Sequence, residues 1–565
     1  MMELSNTIAS KKLIVILGGS YGGLSTAHYL LKHAVPALPN AKDYKIVIIS
    51  PSAEVMCRPA CPRAMISDDM FPQDKLFVDI PSIFKQYDNE KFLFIQGTAA
   101  SLNHGEKMVS AAQKGKGDPI TLSYHALIIA TGASTPSPLL GLNSDSESLR
   151  KSWADFRKGL PQVKSIVVVG GGPAGVETAG ELGEYLNGRK ARRPKVPITL
   201  VSSTPELLPT LRPTIARKAE GYLSQVGVTV LKGTRVKDVV PAESEFTGVT
   251  TNTTITLDSG KTIATDLYIP ATGTRPNTSF IDHALLLPDG RVNTNPLTLR
   301  VDSAGPRVYA IGDASSFARP AIHNILSAVP VMCANIKRDL LLASDRPESA
   351  SNKDRLFEED FRETQLVPVG KSKGVGAAMG YQLPSFMVWM IKGTVEEVLK
   401  ELRTINPNYD QDFGITTLTS TEAIDAVTQA DDTFKDGPVN CAGYDDSDRK
   451  RLAQGARYLL DVKGKPTRGP DPGSCGRASC SWNSAIYWCN MASRCFFLVF
   501  FDIKNETDSV GTIQDSKAKT LNSFKEISDG AYYVIEKCYR GVGTFVSGRA
   551  FHKDNWTVVG RWDRC

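Results

Sequence analysis

Two stretches of this chain repeat one pattern, in which an apolar strand runs through a glycine cluster into a helix. The first covers residues 13–31 (LIVILGGSYGGLSTAHYLL) and the second covers residues 165–183 (SIVVVGGGPAGVETAGELG). The start of a helix leaves backbone N–H groups free at the positive end of its dipole, and glycines let a pyrophosphate approach them. One such motif alone is also typical of an ordinary strand–helix turn. Its repetition predicts two dinucleotide sites in one α/β chain.

The glycine positions of both motifs follow the GxGxxG fingerprint of dinucleotide-binding folds. In the first motif Gly18 supplies the tight turn, Ser20 takes the middle position, and Gly23 allows close packing of the helix on the strand. Serine is small and its hydroxyl can donate to a phosphate, so this departure is mild. The residues predicted to bind cofactor through the two motifs are Gly18, Ser20, Gly22, Gly23, Gly170, Gly172 and Gly175.

The strand that follows each motif ends in serine, where a dinucleotide fold usually has an acid that binds the ribose hydroxyls. The strand YKIVIIS ends in Ser50, which can still accept one hydrogen bond, and the strand PITLVS ends in Ser202. An acid at the second of these positions would repel a 2′-phosphate and favour NADH. Because no acid stands there, the sequence does not exclude NADPH, and Arg212 or Arg217 is a candidate partner of its 2′-phosphate.

Three shorter signals complete the pattern. Residues 124–132 (YHALIIATG) and 266–273 (DLYIPATG) are strands that both end in Ala-Thr-Gly, and residues 308–314 (VYAIGDA) end an apolar strand in Gly-Asp. The Asp313 carboxylate suits the ribityl chain of FAD, at the start of a helix. The cofactor residues predicted from these segments are Ala130, Thr131, Gly132, Gly273, Gly312 and Asp313. The order of all five signals along the chain is highly specific.

With these motifs the chain resembles the two-dinucleotide-binding flavoproteins of the pyridine nucleotide-disulphide oxidoreductase superfamily. It is most similar to their apoptosis-inducing-factor-like and ferroptosis-suppressor-like group, of fungal type. The resemblance covers residues 11–393, where VPVGKSKGVGAAMG and LPSFMVWMIKG match the group's short C-terminal lobe. It implies FAD in the first domain, NAD(P)H in the second, and electron transfer to a quinone or another small acceptor. Because positioning carries most of such catalysis, no catalytic residue and no metal site is predicted.

The implied fold is α/β, with two Rossmann-like dinucleotide-binding domains, for FAD and NAD(P), and a short C-terminal lobe, followed by an unrelated α+β cysteine-rich extension. The chain leaves the FAD domain and later returns to it. The predicted segments are residues 11–145 (FAD domain, first part), 146–290 (NAD(P) domain), 291–330 (FAD domain, second part), 331–393 (lobe), 394–470 (linker) and 471–565 (extension).

Charged residues and cysteines near the motifs leave alternatives open. Glu177 and Glu181 are four residues apart and share one helix face. In such enzymes Glu177 can lie near the nicotinamide, whereas a solvated face is the alternative for Glu181. Arg63 is predicted to lie near the flavin pyrophosphate or its O2/N1 edge, or else to be a surface cation. Cys57 and Cys61 occur where disulfide reductases carry a redox pair, although two such cysteines near a loop are more often inert.

Charge and hydropathy exclude some classes of function. A formal net charge of +6 over 565 residues indicates no nucleic-acid role. No apolar run approaches the roughly 18 residues of a membrane helix. The N-terminal residues lack the apolar core of a signal peptide, so the cytosol is the default compartment. The resemblance is also compatible with peripheral association with an organelle or lipid-droplet membrane. The sequence does not indicate an oligomeric state.

The last quarter of the chain differs in character, because it holds most of the 10 cysteines. Their spacing does not fit a zinc site, so disulfides are the better explanation. This region resembles a small secreted cysteine-rich protein, which conflicts with a cytosolic location, and one hypothesis is that the chain joins two unrelated coding regions. The cysteines concerned are Cys441, Cys475, Cys480, Cys489, Cys495, Cys538 and Cys565.

Three functions follow from these observations. The leading interpretation is an FAD-dependent NAD(P)H oxidoreductase, which passes hydride from NAD(P)H to FAD and electrons on to a quinone or other small acceptor. One alternative is a thiol-dependent disulfide reductase that uses Cys57 or Cys61. The other is a slow redox-sensing flavoprotein that acts in signalling or cell death.

Overall fold

The computed structural model describes residues 11–392, apart from residues 74–75, 192, 242–251, 345–346, 348–349 and 351–352. Beyond residue 392 it describes strand residues between 439 and 562 and the helical residues 456 and 459. The chain divides into two compact units, Met1–Phe413 and Gly414–Cys565.

The first part of the chain alternates strands and helices, as its apolar runs predict. Three neighbouring parallel strands have the sequences KLIVIL, YKIVIIS and ALII. Such apolar runs are typical of strands that are covered on both faces of the sheet. The helices are α1 (Tyr21–Tyr29), α2 (Cys61–Ala64) and α3 (Ile80–Ile83). The strands are β1 (Lys12–Leu17), β2 (Tyr44–Ser50), β3 (Glu54–Met56), β4 (Phe77–Asp79), β5 (Phe92–Asn103), β6 (Met108–Gln113), β7 (Ile120–Ser123), β8 (Ala126–Ile129) and β9 (Ala133–Ser134).

The second part repeats the arrangement of the first. Its central strand pairs in parallel with the next strand on one side and with the Ala-Thr-Gly strand on the other, as β1 pairs with β2 and β8. The helices are α4 (Ser146–Gly159), α5 (Pro173–Asn187) and α6 (Pro213–Gln225). The strands are β10 (Ile166–Val169), β11 (Ile198–Val201), β12 (Val228–Leu231), β13 (Val236–Val240), β14 (Thr253–Leu257), β15 (Thr262–Thr265), β16 (Leu267–Pro270) and β17 (Arg275–Pro276). They form a parallel sheet, β12-β11-β10-β16, and an antiparallel sheet, β13-β14-β15.

The segment that leaves the first domain runs beside the segment that returns to it, because β9 pairs with β17. Just beside this pair, the Asn277 amide donates to the carbonyl of Thr131, and Ser134 donates to Asn277. The chain then adds β18 (Val308–Ala310) next to β8, which gives the seven-stranded order β18-β8-β1-β2-β5-β6-β7. The helix α7 (Ile322–Leu342) packs against α1.

Two predicted boundaries of the FAD domain need correction. Ile281, Leu285 and Val292 belong to the apolar core of the seven-stranded sheet, so the second part of this domain begins soon after β17 and not at residue 291. The boundary predicted at 330/331 falls inside α7. Because α7 packs on α1, the whole helix belongs to the first domain.

The short C-terminal lobe is an antiparallel sheet followed by one helix. It consists of β19 (Gln365–Val369), β20 (Lys373–Ala378), β21 (Tyr381–Gln382) and α8 (Ser385–Lys392). It lies directly on α5, where a Cβ on Gly180 would come within 2.8 Å of Val369 Cγ1. Glu184 Oε2 on the same helix accepts a 2.8 Å hydrogen bond from the backbone N–H of Lys371.

The second unit contains a five-stranded sheet, β22-β29-β30-β26-β25, and two smaller strand pairs, β23-β28 and β24-β27. Val439–Asn440 pairs within the larger sheet, so part of the region predicted as a linker belongs to the folded extension. The predicted disulfides concern side chains outside the described residues. The strands are β22 (Val439–Asn440), β23 (Ser447–Asp448), β24 (Thr467–Arg468), β25 (Cys475–Ser481), β26 (Ser484–Asn490), β27 (Lys519–Thr520), β28 (Phe545–Val546), β29 (Gly548–His552) and β30 (Trp556–Trp562).

Within the ranges that the structure describes, no helix has the length and apolar character needed to cross a membrane. Within the same ranges, no group of three or more histidine, cysteine, aspartate and glutamate side chains is arranged to hold a metal ion.

Candidate functional site

One large cleft brings the two glycine motifs together. Its volume is about 1360 Å³, which exceeds the roughly 300–1,000 Å³ of a typical small-molecule pocket and leaves room for more than one ligand. Gly23, Gly175 and Arg63 do not line it. The other predicted site residues do, namely Gly18, Ser20, Gly22, Ser50, Ala130, Thr131, Gly132, Gly170, Gly172, Glu177, Gly273, Gly312 and Asp313.

The first motif requires glycine for reasons of space. Gly18 has φ +117°, and a Cβ there would lie 2.1 Å from the carbonyl oxygen of Ala130. A Cβ on Gly23 would lie 1.9 Å from the carbonyl oxygen of Gly18, which is the close helix–strand contact predicted from the sequence. Ser20 is the N-cap of α1 and is exposed on the cleft. The turn therefore presents the first backbone N–H groups of α1 to the cleft, as an anion site requires.

The second motif has the same geometry. A Cβ on Gly170 would lie 2.1 Å from the carbonyl oxygen of Ala271, and one on Gly175 would lie 1.9 Å from that of Gly170. Gly172 differs, because a Cβ there would meet no protein atom within 4 Å and would point into open space. Gly172 lines the cleft at the N-cap of α5. The space beside it is therefore suited to a ligand that approaches the backbone closely.

The serines that end β2 and follow β11 occupy equivalent places. Ser50 and Ser202 are buried. Ser50 lies against Gly19, and Ser202 lies against Gly171. A Cβ on Gly19 would lie 2.8 Å from Ser50 Oγ, and one on Gly171 would lie 2.1 Å from Ser202 Oγ. Both serines line the cleft at the carboxyl edge of their sheets, where ligands of such folds bind.

An ion pair joins two distant segments at the edge of the first domain's half of the cleft. Arg58 Nη1 lies 3.2 Å from Asp313 Oδ2, and both residues line the cleft. Gly312, with φ +79°, and Asp313 begin a short 3₁₀ turn, and α7 starts only at Ile322. The predicted helix does not begin at Asp313 itself, although Ile322 and Ile325 of its first turn also line the cleft.

A buried carboxylate and a lysine meet where the second domain and the C-terminal lobe face the cleft. Lys392 Nζ donates a 2.6 Å hydrogen bond to Glu177 Oε1 and a 3.1 Å hydrogen bond to the carbonyl of Leu366. The exposed fraction of the Glu177 side chain is 6%, and burial raises the pKa of Glu177. The charge of Lys392 and its hydrogen bond partly offset this shift, so Glu177 is held close to a cation at the cleft.

Arg63 lies outside the cleft, in a second ion pair. Its Nη2 lies 2.6 Å from Glu181 Oε1, and it also donates to the carbonyl of Gly370 in the lobe. Glu181 is only 2% exposed, so the alternative of a solvated helix face is wrong for this residue. Arg63 therefore links the first domain, α5 and the lobe, and neither the predicted flavin contact nor a surface position describes it.

A cavity of about 20 Å³ lies between the two ion pairs. Glu177 and Lys392 line both this cavity and the cleft, whereas Arg63 and Glu181 line only the small cavity. Glu181 Oε2 is buried and has no hydrogen-bond partner among the described residues. The volume is close to the minimum that holds one water molecule, which would satisfy this oxygen.

Cys57 and Cys61 do not have the surroundings of a redox pair. Both are buried free cysteines outside the lining of the cleft. The Cys61 thiol donates a 3.1 Å hydrogen bond to the carbonyl of Leu139. Burial raises the pKa of the Cys61 thiol to about 12, so the thiolate needed for disulfide exchange is scarce at neutral pH.

We expect the double substitution Cys57→Ala/Cys61→Ala to leave the predicted oxidation of NAD(P)H within about twofold of the wild-type rate, because neither thiol lines the cleft. Steady-state rates with a water-soluble quinone provide the measurement, and far-ultraviolet circular dichroism checks folding. A folded double variant that has lost most of its turnover would show that the thiols take part in electron transfer.

Sequence reasoning missed the cations that line the cleft in the described part of the chain, namely Arg58, Arg235, Arg275 and Lys392. Arg58 lies in the same segment as Arg63, and no pattern there distinguishes the two. Lys392 has no local signal, because its partner Glu177 lies 215 residues away in the chain. The two arginines suggested for a 2′-phosphate do not line the cleft.

Those two arginines have other contacts. Arg212 is held by Glu363, which accepts from both its backbone N–H and its guanidinium, and it also donates to the carbonyl of Gly380. Arg217 lies on α6 and donates from Nε to the carbonyl of Pro213 at 3.4 Å. Neither is therefore positioned to bind a nucleotide in the cleft.

The residues of the cleft fit FAD and NAD(P)H. Each half offers a helix N-terminus behind a glycine turn, and a Cβ on Gly172 would fill the approach to the second helix. Asp313 and Ser50 supply acceptors for hydroxyl groups in the first half. FAD would be held by the first glycine motif, Ser50 and Asp313. NAD(P)H would be held by the second glycine motif and Glu177.

Comparisons with known proteins agree with this geometry. A family model described as pyridine nucleotide-disulphide oxidoreductase matches residues 12–335. Oxidoreductase phnG of Penicillium herquei is 59% identical over 396 residues, which cover 69% of this chain and 94% of that protein. Ferroptosis suppressor protein 1 of Mus musculus is 28% identical over 390 residues, covering 67% of this chain and 92% of that protein.

The fold is also similar to a solved structure, the sulfide:quinone oxidoreductase of Aquifex aeolicus. The TM-score is 0.54 at 17% sequence identity, and the match covers 71% of this chain and 94% of that one. At this identity the likeness concerns the fold alone.

Proposed function

The chain belongs to the pyridine nucleotide-disulphide oxidoreductase family, and we propose that it passes electrons from NAD(P)H through FAD to a quinone. It is an FAD-dependent NAD(P)H oxidoreductase. Bound FAD would supply the redox chemistry, by accepting a hydride and giving up electrons. The identity of the acceptor is the part that we propose.

The observation that carries the proposal is the single cleft shared by both motifs. Gly18 and Gly170, each at the turn of its motif, line the same cleft, so two nucleotides can meet in it. The protein's main contribution is to hold donor and acceptor together, which lowers a barrier through positioning alone. The arrangement supports direct hydride transfer without a covalent intermediate on the protein.

A quinone suits the part of the cleft near Glu177. Pro59 and Pro62 line the cleft together with the Glu177–Lys392 pair, so an apolar wall lies beside a carboxylate and an ammonium group. Reduction of a quinone by NAD(P)H consumes one proton, since NAD(P)H, a proton and quinone give NAD(P)⁺ and hydroquinone. The Lys392 ammonium, which the Glu177 carboxylate holds at the cleft, is the candidate donor of this proton.

The proposal is tested by the choice of acceptor. We expect the full chain loaded with FAD to oxidise NAD(P)H with a water-soluble quinone, one hydroquinone forming per nucleotide. Ferricyanide, which takes electrons without a proton, serves as a general acceptor. Brisk turnover with ferricyanide but none with ubiquinone or menadione analogues would contradict a quinone acceptor and leave the oxidoreductase assignment in place.

A cytosolic location with peripheral contact to an organelle or lipid-droplet membrane is part of the same proposal. The C-terminal lobe exposes the apolar side chains of Met379, Tyr381 and Phe386, which suits contact with lipid. Co-flotation of the protein with phosphatidylcholine vesicles tests this, and protein that stays entirely in the unbound fraction would contradict it. The two alternative functions gain no support from the described residues.

A further inference from the structure

Exposed cations from three separate segments form one basic surface on the second domain and the C-terminal lobe. The segments are the loop of residues 188–197 that follows α5, the helix α6, and the hairpin of residues 365–378 that contains β19 and β20. Neither the loop nor the hairpin contains an aspartate or a glutamate. The basic surface consists of the exposed side chains of Arg189, Lys190, Arg193, Lys218, Lys371 and Lys373.

Hydrogen bonds hold the three segments side by side. Glu184 Oε1, near the end of α5, accepts a 2.8 Å hydrogen bond from Arg189 Nε, and Glu184 Oε2 accepts one of 2.8 Å from the backbone N–H of Lys371. The loop and the hairpin therefore meet at one carboxylate. The N–H of Ala191 donates to the carbonyl of Gln225 at 2.9 Å, which fixes the loop to the last residue of α6.

Two lysines of the basic surface come together at one aromatic ring. The Nζ atom of Lys218 lies 6.0 Å from the centroid of the Tyr222 ring, and that of Lys373 lies 5.8 Å from it. Cation–π attraction draws both ammonium groups to this ring, although their charges repel each other. Positive charge is therefore concentrated where α6 meets the hairpin.

Few acids oppose the charges of the basic surface. Glu220 is the single acid of α6, and it pairs with Lys232 at 2.9 Å. Within the part of the chain that the structure describes, Arg189 is the one member of the basic surface in an ion pair, with Glu184 at 2.8 Å. The other five cations are exposed without an ion pair there, and such an unbalanced surface attracts an anionic partner.

An exposed aromatic side chain beside the basic surface favours a lipid bilayer as this partner. The backbone N–H of Gly374, the residue after Lys373, donates a 3.0 Å hydrogen bond to Ser385 Oγ at the start of α8. Phe386 follows directly and is 64% exposed. Cations that attract headgroups, next to an aromatic ring that enters the interface, are typical of a membrane-binding face. A duplex nucleic acid would bind the cations but would leave Phe386 in water.

We propose that the basic surface binds the headgroups of anionic phospholipids and docks the protein on a negatively charged membrane. The inference rests on the membrane contact proposed above, and it adds the class of lipid and the face that meets it. None of the six cations lines the cleft. The loop precedes β11 at the amino edge of its sheet, whereas the cleft lies at the carboxyl edge, so docking does not occupy the nucleotide sites.

The test compares vesicles of two compositions. Co-flotation with phosphatidylcholine vesicles measures apolar contact alone, and vesicles in which about 30% of the lipid is phosphatidylserine add negative charge. We expect the full chain loaded with FAD to bind the anionic vesicles about 100-fold more tightly. The difference should disappear when NaCl rises from about 0.1 M to about 1 M, because the reach of the charges falls from about 10 Å to about 3 Å.

The triple variant Lys218→Gln/Lys371→Gln/Lys373→Gln removes three charges of the basic surface. It should bind the anionic vesicles about 100-fold more weakly, since each cation near such a membrane strengthens binding about fivefold. Binding to phosphatidylcholine should not change.

Lys42→Gln/Lys85→Gln/Lys116→Gln is the matched control, because it removes three exposed lysines of the first domain. It should bind anionic vesicles as the wild type does. Equal wild-type binding to the two compositions, or an equal loss in the two triple variants, would overturn the inference and leave the membrane contact in place. Binding to neither composition would contradict the membrane contact itself. Tighter binding to duplex DNA than to anionic vesicles would assign the basic surface to nucleic acid and overturn the inference.

The absorption bands of bound FAD and the oxidation of NAD(P)H by a water-soluble quinone check that both triple variants are folded. These readouts do not depend on vesicles, so a failure of membrane docking is distinguished from a failure of the oxidoreductase assignment.

Discussion

Lys392→Met is expected to lower the free energy of unfolding by about 3 kcal/mol, because it leaves the buried Glu177 carboxylate without its cation. The value lies at the lower end for a broken buried pair, since 22% of the Lys392 side chain is exposed. Turnover should fall as well, because both groups line the cleft. Urea unfolding followed by circular dichroism gives the stability, and quinone-dependent NAD(P)H oxidation gives the rate.

The loss of stability in Lys392→Met should depend on pH. Burial raises the pKa of Glu177 above 4.5, and removal of Lys392 takes away a group that lowers it. The folded state then binds more protons than the unfolded state, so the free energy of unfolding falls as the pH rises above 4.5 toward the folded pKa. Below 4.5 both states hold the proton and the penalty is small.

Two variants separate this cause from general damage to the lobe. The double variant Glu177→Gln/Lys392→Met removes both charges, so it should recover most of the lost stability and should not show the pH dependence that Glu177 causes in Lys392→Met. Lys373→Met alters an exposed lysine of the same lobe and should stay close to wild type. Equal instability of Lys392→Met at pH 4 and pH 7 would show that the Glu177 charge is not the cause.

Gly172→Val is expected to raise the KM for NAD(P)H by about 100-fold or more while FAD stays bound. Gly172 has φ −78°, which valine adopts without strain, and a Cβ there meets no protein atom within 4 Å. The added side chain therefore spares the fold and occupies the space through which we expect a pyrophosphate to reach α5. Initial rates over a range of nucleotide concentrations provide the measurement, with the flavin absorption bands as the check on FAD.

Gly221→Ala serves as the matched control, because Gly221 lies on α6, outside the cleft lining, with no atom near its Cβ position. It should leave the KM unchanged. A wild-type KM in Gly172→Val would mean that the nucleotide does not cross the second glycine motif.

The layout of the fold could be read from the sequence because each part of it has a local cause. Unbroken apolar runs mark the parallel strands, and the turns at Gly18 and Gly170 admit only glycine, since a side chain would strike a backbone oxygen at 2.1 Å. The predicted fold class, the two cofactors and the family resemblance are confirmed. The individual contacts of the site residues with cofactor stay predictions.

The pairing of charges could not be read from the sequence. The spacing of Glu177 and Glu181 places them on one helix face, but it does not say which cation reaches each of them. The sequence predicts Arg63 near the flavin or at the surface, whereas the structure pairs it with Glu181. Lys392 approaches Glu177 from a lobe with no charge pattern. Such partners depend on how whole domains pack, which local spacing does not encode.

The most direct test is an anaerobic titration of the purified full chain, followed by visible absorption. NADPH is added first, with NADH in a parallel sample, and a water-soluble quinone follows. We expect the absorption bands of bound FAD to bleach with at least one of the two nucleotides and to return when the quinone is added. Bound FAD that stays oxidised in excess NADPH and NADH would contradict the meeting of two nucleotides in this cleft.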